Sequence, residues 1–209
     1  MPQDWLGYLV FGAVLGLSAG LSPGPLMMVL LRESLATSAA AGIRVACAPM
    51  ITDGPIVLLS IFVLRELSGQ DLVLAGISLA GAVFLVRIAL ESLRTNGLPS
   101  EADALSAGSS LWRGVLANFL SPHPYLFWMT VGAPLVLRPE TGTYAEPVSF
   151  LAGFYVCLIG AKISVAAIVG RFRHVVGGRG YRWIMRLLGL ALLIMGALFL
   201  VDAATYVLN

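Results

Sequence analysis

Two tetrapeptides, Ser22-Pro23-Gly24-Pro25 and Ser121-Pro122-His123-Pro124, interrupt long apolar runs at corresponding places in the two halves of the chain. Proline costs nothing at the first helical position, where the N–H it lacks would be unpaired anyway, but in mid-helix it breaks the ladder. With serine as N-cap, the first proline of each tetrapeptide falls at the first helical position and the second at the third, still within the zone of orphan donors. Each tetrapeptide therefore ends one helix and starts another. Apolar residues lie on both sides, so the break falls within a span and leaves a half-helix whose positive N-terminal end points into the protein interior. That is how secondary transporters build an anion site at the bilayer midplane.

Composition supports a bilayer setting. The chain is 58% hydrophobic and 11% charged, with a mean hydropathy of +0.90; a soluble domain averages about 45–50% and about 25%. The expectation is an all-α polytopic membrane protein with the lipid bilayer as its main partner. A net charge of +2, scattered among apolar runs, argues against nucleic acid. Cys47 and Cys157 both sit inside apolar runs and make neither a disulfide framework nor a thiolate metal cluster. Asp4 stands where a removable signal would be basic, so the first run reads as a membrane helix.

Six segments are long enough to span, at about 20 residues each: about 6–31, 43–64, 72–93, 111–137, 148–169 and 183–208. The first and fourth contain the breaks. In the second, Pro49 and Thr52-Asp53-Gly54-Pro55 predict a kink or local unwinding. Gly76 and Gly81 in the third and Gly189 and Gly196 in the sixth are expected small packing positions, and candidate faces for a homodimer. Arg87 and Glu91, one turn apart, read as a pair snorkelling at a cytoplasmic end. Residues 96–110 form the one linker, dividing a first three-helix repeat, 1–95, from a second, 111–209.

Arginine orients the bundle. Arg32, Arg44, Arg94, Arg113, Arg171, Arg173, Arg179, Arg182 and Arg186 flank the first, third and fifth connections, against Arg65 and Arg138 at the second and fourth. By the positive-inside rule the odd-numbered loops, including the turn around Gly177-Gly178-Arg179-Gly180, are cytoplasmic and both termini face outward. An odd number of spans per half then makes the repeats inverted about an axis in the membrane plane, with broken helices 1 and 4 meeting near the centre. Residues 20–25 align with 119–124, and each break is followed by an apolar half-helix ending in Arg32 or Arg138.

Charge inside the membrane marks the candidate site. Asp53 lies near the middle of the second segment and Lys162, the only lysine, near the middle of the fifth. Each costs about 2.5–3.5 kcal/mol at bilayer depth, so both should face inward and are candidates to pair. Such a pair reads either as functional or as a structural bond between the repeats. Ala46, Pro49, Asp53 and Ser60 share one helical stripe, and Tyr155 lies on the face of Lys162. Ser22, Pro23, Gly24, Pro25, Asn118, Ser121, Pro122, His123 and Pro124 complete the candidate substrate-binding set with Asp53, Tyr155 and Lys162; Asp53 and Lys162 are the candidate ion-coupling groups. Tyr125 and Trp128 read as packing or interfacial-belt aromatics, and His123 as a hydrogen-bonded structural residue before a titrating one.

The sequence resembles the LysE-type amino-acid exporters, also called LysE/RhtB translocators. The resemblance rests on Leu21-Ser22-Pro23-Gly24-Pro25, the spaced Gly42, Ala46 and Asp53, Arg113-Gly114, and Asn118-Phe119-Leu120-Ser121-Pro122, and it covers essentially the whole chain. It departs from the family's usual Asn-Pro-Lys, with Ser121 and His123 flanking Pro122, and Lys162 is not expected of typical members. The resemblance implies a plasma-membrane transporter, not an enzyme, that exports amino acids or related small solutes, driven by the ion gradient and without a cofactor. In the mechanism expected here, a zwitterionic substrate replaces an Asp53–Lys162 pair, proton coupling enters through Asp53, and one repeat rocks against the other. The alternatives are a divalent-cation exporter, for which one carboxylate and one histidine are a thin ligand set, and a membrane-embedded enzyme or accessory subunit. For an enzyme, only His123 and His174 are on offer, with no paired carboxylates or nucleophile–base set inside the bundle.

Overall fold

A computed structural model describes residues 4–60, 70–94, 108–132, 135–136, 144–172 and 178–208. Arg65, Arg138, Arg173, His174, Gly177 and linker residues 96–107 lie outside the described residues, as do the far ends of the second and fourth expected segments. No strand occurs among the described residues. The helices are α1 (Trp5–Leu21), α2 (Pro25–Ala36), α3 (Ala39–Ala46), α4 (Ala48–Leu58), α5 (Gln70–Leu93), α6 (Gly108–Phe119), α7 (Pro122–Phe127) with a π-helical turn at Trp128–Gly132, α8 (Ala145–Phe172) and α9 (Gly178–Leu208).

Four stretches are long and apolar enough to cross a membrane: Ala39–Leu58, Asp71–Leu93, Ala145–Phe172 and Gly180–Val207. The pair Trp5–Leu21 and Pro25–Ala36, bent by 60°, makes a fifth when counted as one span. The expected fourth segment appears as the shorter pieces α6, α7 and the π-helical turn. Large apolar side chains such as Val83, Val156 and Leu187 are exposed, whereas Arg32, Glu33, Asp53, Asn118 and Lys162 are buried. A water-soluble fold has the opposite pattern. The chain is a multi-pass membrane protein.

Local chemistry places the helix ends. The Asp4 carboxylate caps α1 by accepting from the Gly7 N–H at 2.9 Å, and the Ser38 hydroxyl caps α3 by accepting from Ala41 at 3.1 Å. The first break is displaced from its expected register: Ser22 closes α1, Gly24 is the N-cap of α2 and Pro25 its first residue. Gly24 caps in an ordinary extended conformation, and the helix starts two residues later than a serine cap would dictate. The second break has the expected register, with Ser121 as N-cap and Pro122 at the first position, although the Ser121 side chain caps no backbone N–H. In the second segment the interruption falls at Cys47, between α3 and α4, and Pro49 lies in the first turn of α4. Thr52-Asp53-Gly54-Pro55 is helical; Pro55 only deprives the Ile51 carbonyl of its donor. Helix α6 begins at Gly108, three residues inside the expected linker.

Two interfaces frame the molecule. Gly12, Gly16 and Gly20 of α1 lie against α8, where a Cβ would strike the Phe150 and Phe154 carbonyl oxygens and, at Gly20, the Ala161 Cβ. This is the small-residue packing that lets membrane helices approach closely. The contacts advance together along both helices, so α1 and α8 are parallel. Helices α5 and α9 are antiparallel: Gly189 abuts Leu93, Gly196 abuts Val86, and Gly81 abuts Phe199. Gly76, expected as a packing position, is exposed with nothing near it, because its face of α5 points away from the bundle.

The arginine-bearing ends converge. Arg32 of α2 and Arg113 of α6 both bond to Glu91 near the end of α5. Leu35 packs with Tyr181, Met185 and Val169, and Gly170 of α8 abuts Ala39 at the start of α3. Tyr8, Leu135 and Phe150 cluster at the other end of the bundle.

Candidate functional site

The two breaks, the middle of α4 and the middle of α8 line a partly open cavity of about 270 Å³, near the small end of ligand pockets, which start at about 300 Å³. Ser22, Pro23, Gly24 and Pro25 line it from one side, with Asn118, Ser121, His123 and Pro124 from the other. Asp53 and Lys162 are also on its wall. Of the sequence-derived candidates, only Pro122 and Tyr155 are not lining residues.

Asp53 is 6% exposed. Its Oδ1 accepts from Asn118 Nδ2 at 3.0 Å and lies 3.4 Å from the Thr52 hydroxyl; its Oδ2 accepts from the Tyr155 hydroxyl at 3.1 Å. Asn118 Nδ2 also donates to Thr52 Oγ1 at 2.6 Å, so α4, α6 and α8 meet at one carboxylate. The helical repeat places Asp53 there: Ala46, Pro49, Asp53 and Ser60, expected on one stripe, are all buried. Tyr155 lies two turns from Lys162 on α8 and reaches across to Asp53.

Lys162 is 4% exposed, and its ammonium donates to the Gly20 carbonyl at 3.2 Å. That carbonyl belongs to the last turn of α1, where the break leaves acceptors without helical donors. The expected Asp53–Lys162 ion pair does not form. Each charge is drawn instead to the break of the other half, Asp53 to Asn118 before the second and Lys162 to Gly20 before the first. The cavity thus carries a carboxylate and an ammonium held apart by neutral partners.

Around the breaks, Leu26 and Met27 occupy the second and third positions of α2, where no carbonyl one turn back exists to receive their N–H groups, and both line the cavity. At the second break only His123 offers such a donor, since Pro122 and Pro124 have none. Its ring lies 3.4 Å from the Ser121 hydroxyl and stacks on Phe199. Tyr125, fully buried, spans the break by donating to the Phe119 carbonyl at 2.9 Å. Trp128 is equally buried, stacked on Tyr155 and edge-on to Phe154. Tyr125 is a packing residue as expected, whereas Trp128 also lines the cavity.

Thr52, Phe127 and Phe154 are site residues that sequence reasoning missed. Thr52 adjoins Asp53 in the chain and was visible as a neighbour; the two phenylalanines carry no signal that separates them from ordinary core. Glu33 was also missed, and it anchors a second polar cluster. Fully buried in α2, it accepts from Arg32, Arg113 and Ser110. The Arg87–Glu91 contact, at 3.8 Å, is the outer edge of that cluster rather than an isolated pair.

No curated protein and no solved structure matches the chain. The family model of the LysE type translocators matches residues 17–203, which includes both breaks, Asp53, Asn118 and Lys162. With its first two helices bent at Ser22–Gly24, a cavity that holds Asp53 and Lys162 inside an apolar bundle and a family match over nearly its whole length, the chain belongs to the LysE type translocator family, a family of membrane transporters.

Proposed function

We propose that the chain is a secondary transporter that exports amino acids or related small zwitterionic solutes across the plasma membrane, coupled to the proton gradient through Asp53. One observation carries the reading: a buried carboxylate and a buried ammonium line one small cavity without pairing with each other. The α-ammonium of a zwitterion meets Asp53. Its carboxylate meets Lys162 and the N–H groups that open α2, where the helix dipole favours an anion. In the empty carrier Asn118, Tyr155 and the Gly20 carbonyl hold the charges in place, so the substrate exchanges neutral partners for charged ones. Asp53 is the one carboxylate among the lining residues. A proton and a substrate ammonium therefore compete for it, which is the logic of an antiporter.

The crosswise contacts, α4 to the second break and α8 to the first, support two inverted three-helix repeats that rock about the cavity. Convergence of the arginine-bearing ends supports a cytoplasmic location for that face. The test is solute uptake into inside-out vesicles, screened over amino acids by mass spectrometry, with an imposed proton gradient and Asp53→Asn in parallel. Accumulation of particular amino acids that collapses with the gradient and with the variant is the expected result. Metal-ion uptake with no accumulation of any amino acid overturns it in favour of a cation exporter.

A further inference from the structure

We propose that the ion cluster built on Glu33 is the gate that closes the transport path on the arginine-rich, cytoplasmic face; this rests on the transporter reading above and on its orientation. Glu33 is 1% exposed. Its Oε1 accepts from Arg32 Nη1 at 2.6 Å and Arg113 Nη1 at 2.8 Å, and its Oε2 from the Ser110 hydroxyl at 2.6 Å. Arg32, itself buried, also donates to Ser92 at 2.9 Å and to Glu91 at 3.1 Å, and Arg113 reaches Glu91 at 3.3 Å. The cluster ties α2 and α5, from the first half of the chain, to α6, from the second.

Its position is set by helix geometry. Glu33 lies six residues beyond Met27 on α2, and Arg113 five residues before Asn118 on α6, while Met27 and Asn118 line the cavity. At about 1.5 Å per residue the cluster sits about 8–9 Å from the cavity along both helices, on the same side. Between the two levels lie Leu30, buried midway between Met27 and Glu33 on α2, and Val45, buried against Gly114 of α6. The way from the cavity to the arginine-rich end is thus crossed first by an apolar layer and then by an ion lattice.

Charges suit a seal that has to open. Parting an apolar contact exposes grease to water and is opposed throughout, whereas ions that separate into water recover their hydration, which nearly offsets the lost pairing. The α1–α8 and α5–α9 interfaces are close-packed on glycines. The junction of α2, α5 and α6 is instead held at its end by bonds that water can replace. Motion between the halves is therefore expected there.

The test uses the full chain in vesicles, with Ala19→Cys on the cavity wall in a Cys47→Ser/Cys157→Ser background and a membrane-impermeant maleimide applied from either face. With the cluster intact, labelling from the cytoplasmic face is slow. Glu33→Gln is expected to raise that rate about tenfold while leaving labelling from the outer face unchanged or lower. Arg113→Gln, whose side chain is partly exposed, gives a smaller rise and serves where Glu33→Gln fails to fold; Arg113→Lys restores the slow rate. Unchanged sidedness with a lowered melting temperature overturns the proposal and makes the cluster a structural tie. Faster labelling from both faces alike, or from the outer face alone, overturns it as well. The labelling needs no substrate, so its outcome is independent of whether amino acids are the cargo.

Discussion

A charge buried in an apolar span is the easiest functional residue to find and the hardest to interpret. Asp53 and Lys162 stood out in the sequence because each is expensive where it lies; that they do not meet depends on which helix breaks they face, which no spacing along one chain encodes. The ammonium of Lys162 rests on the Gly20 carbonyl, so its charge is available to a ligand carboxylate. A hydrogen bond to a charged group is worth about 1.5–3 kcal/mol, and Lys162→Met is therefore expected to lower kcat/KM for amino-acid uptake about 10- to 100-fold. The same inventory predicts selectivity. The lining holds one carboxylate and one ammonium beside Phe127, Trp128 and Phe154, so a substrate with a cationic side chain brings a charge with no partner. Lysine and arginine are expected to compete for uptake at least about tenfold more weakly than neutral apolar amino acids, and Lys162→Met to narrow that gap. Equal competition in the parent protein would remove the charge inventory as the basis of selectivity. Glu33 shows the opposite failing: it drew no notice beside Arg32, and only the approach of Arg113 and Ser110 from α6 reveals a buried cluster.

At the scale of elements, both breaks were legible from serine, proline and glycine, but the register of the first was not. The expected cap at Ser22-Pro23-Gly24-Pro25 was the serine, whereas Gly24 caps α2 and Pro25 opens it. The glycines tell a similar story. Gly81, Gly189 and Gly196 pack as expected, whereas Gly76 does not, and the row Gly12, Gly16 and Gly20 went unnoticed although its four-residue spacing is a known contact signal. A Cβ at Gly16 would run into the Phe154 carbonyl, which is backbone and cannot step aside. Gly16→Leu is accordingly expected to cost at least about 1–3 kcal/mol, as overpacking does, and to lower the melting temperature in detergent followed by tryptophan fluorescence. Gly76→Leu, with open space around it, should stay within about 0.5 kcal/mol of the parent. Equal losses from the two would remove the α1–α8 contact as the cause, since helix propensity favours leucine over glycine at both positions.

For the whole molecule, composition was enough to announce a membrane protein, and the arginine count proposed a direction for every connection. Helix direction now adds an independent argument. Helix α1 runs parallel to α8 and α9 antiparallel to α5, while the ends of α5 and α8 lie on the arginine-rich face with the starts of α3, α6 and α9. The start of α1 and the end of α9 therefore lie together on the opposite face. Arg113 of α6 lies beside Glu91, whereas Leu135 clusters with Tyr8 and Phe150 at the opposite end, and the faces of the two termini decide whether that course is a crossing. Both termini are expected outside, and the measurement is protease protection of an N-terminal and a C-terminal tag in intact cells and in inside-out vesicles. Cleavage of both tags from the outer face supports an even number of crossings, with the second half entering inverted. Tags on opposite faces would mean an odd number, making the α6–α7 segment re-entrant, and the two breaks would then be a local resemblance rather than halves of one symmetric device. In that event the crosswise bonds of Asp53 and Lys162 would survive as geometry, but rocking of one repeat against the other would lose its basis. Transport would then have to proceed by local movement of α2 and α7 alone.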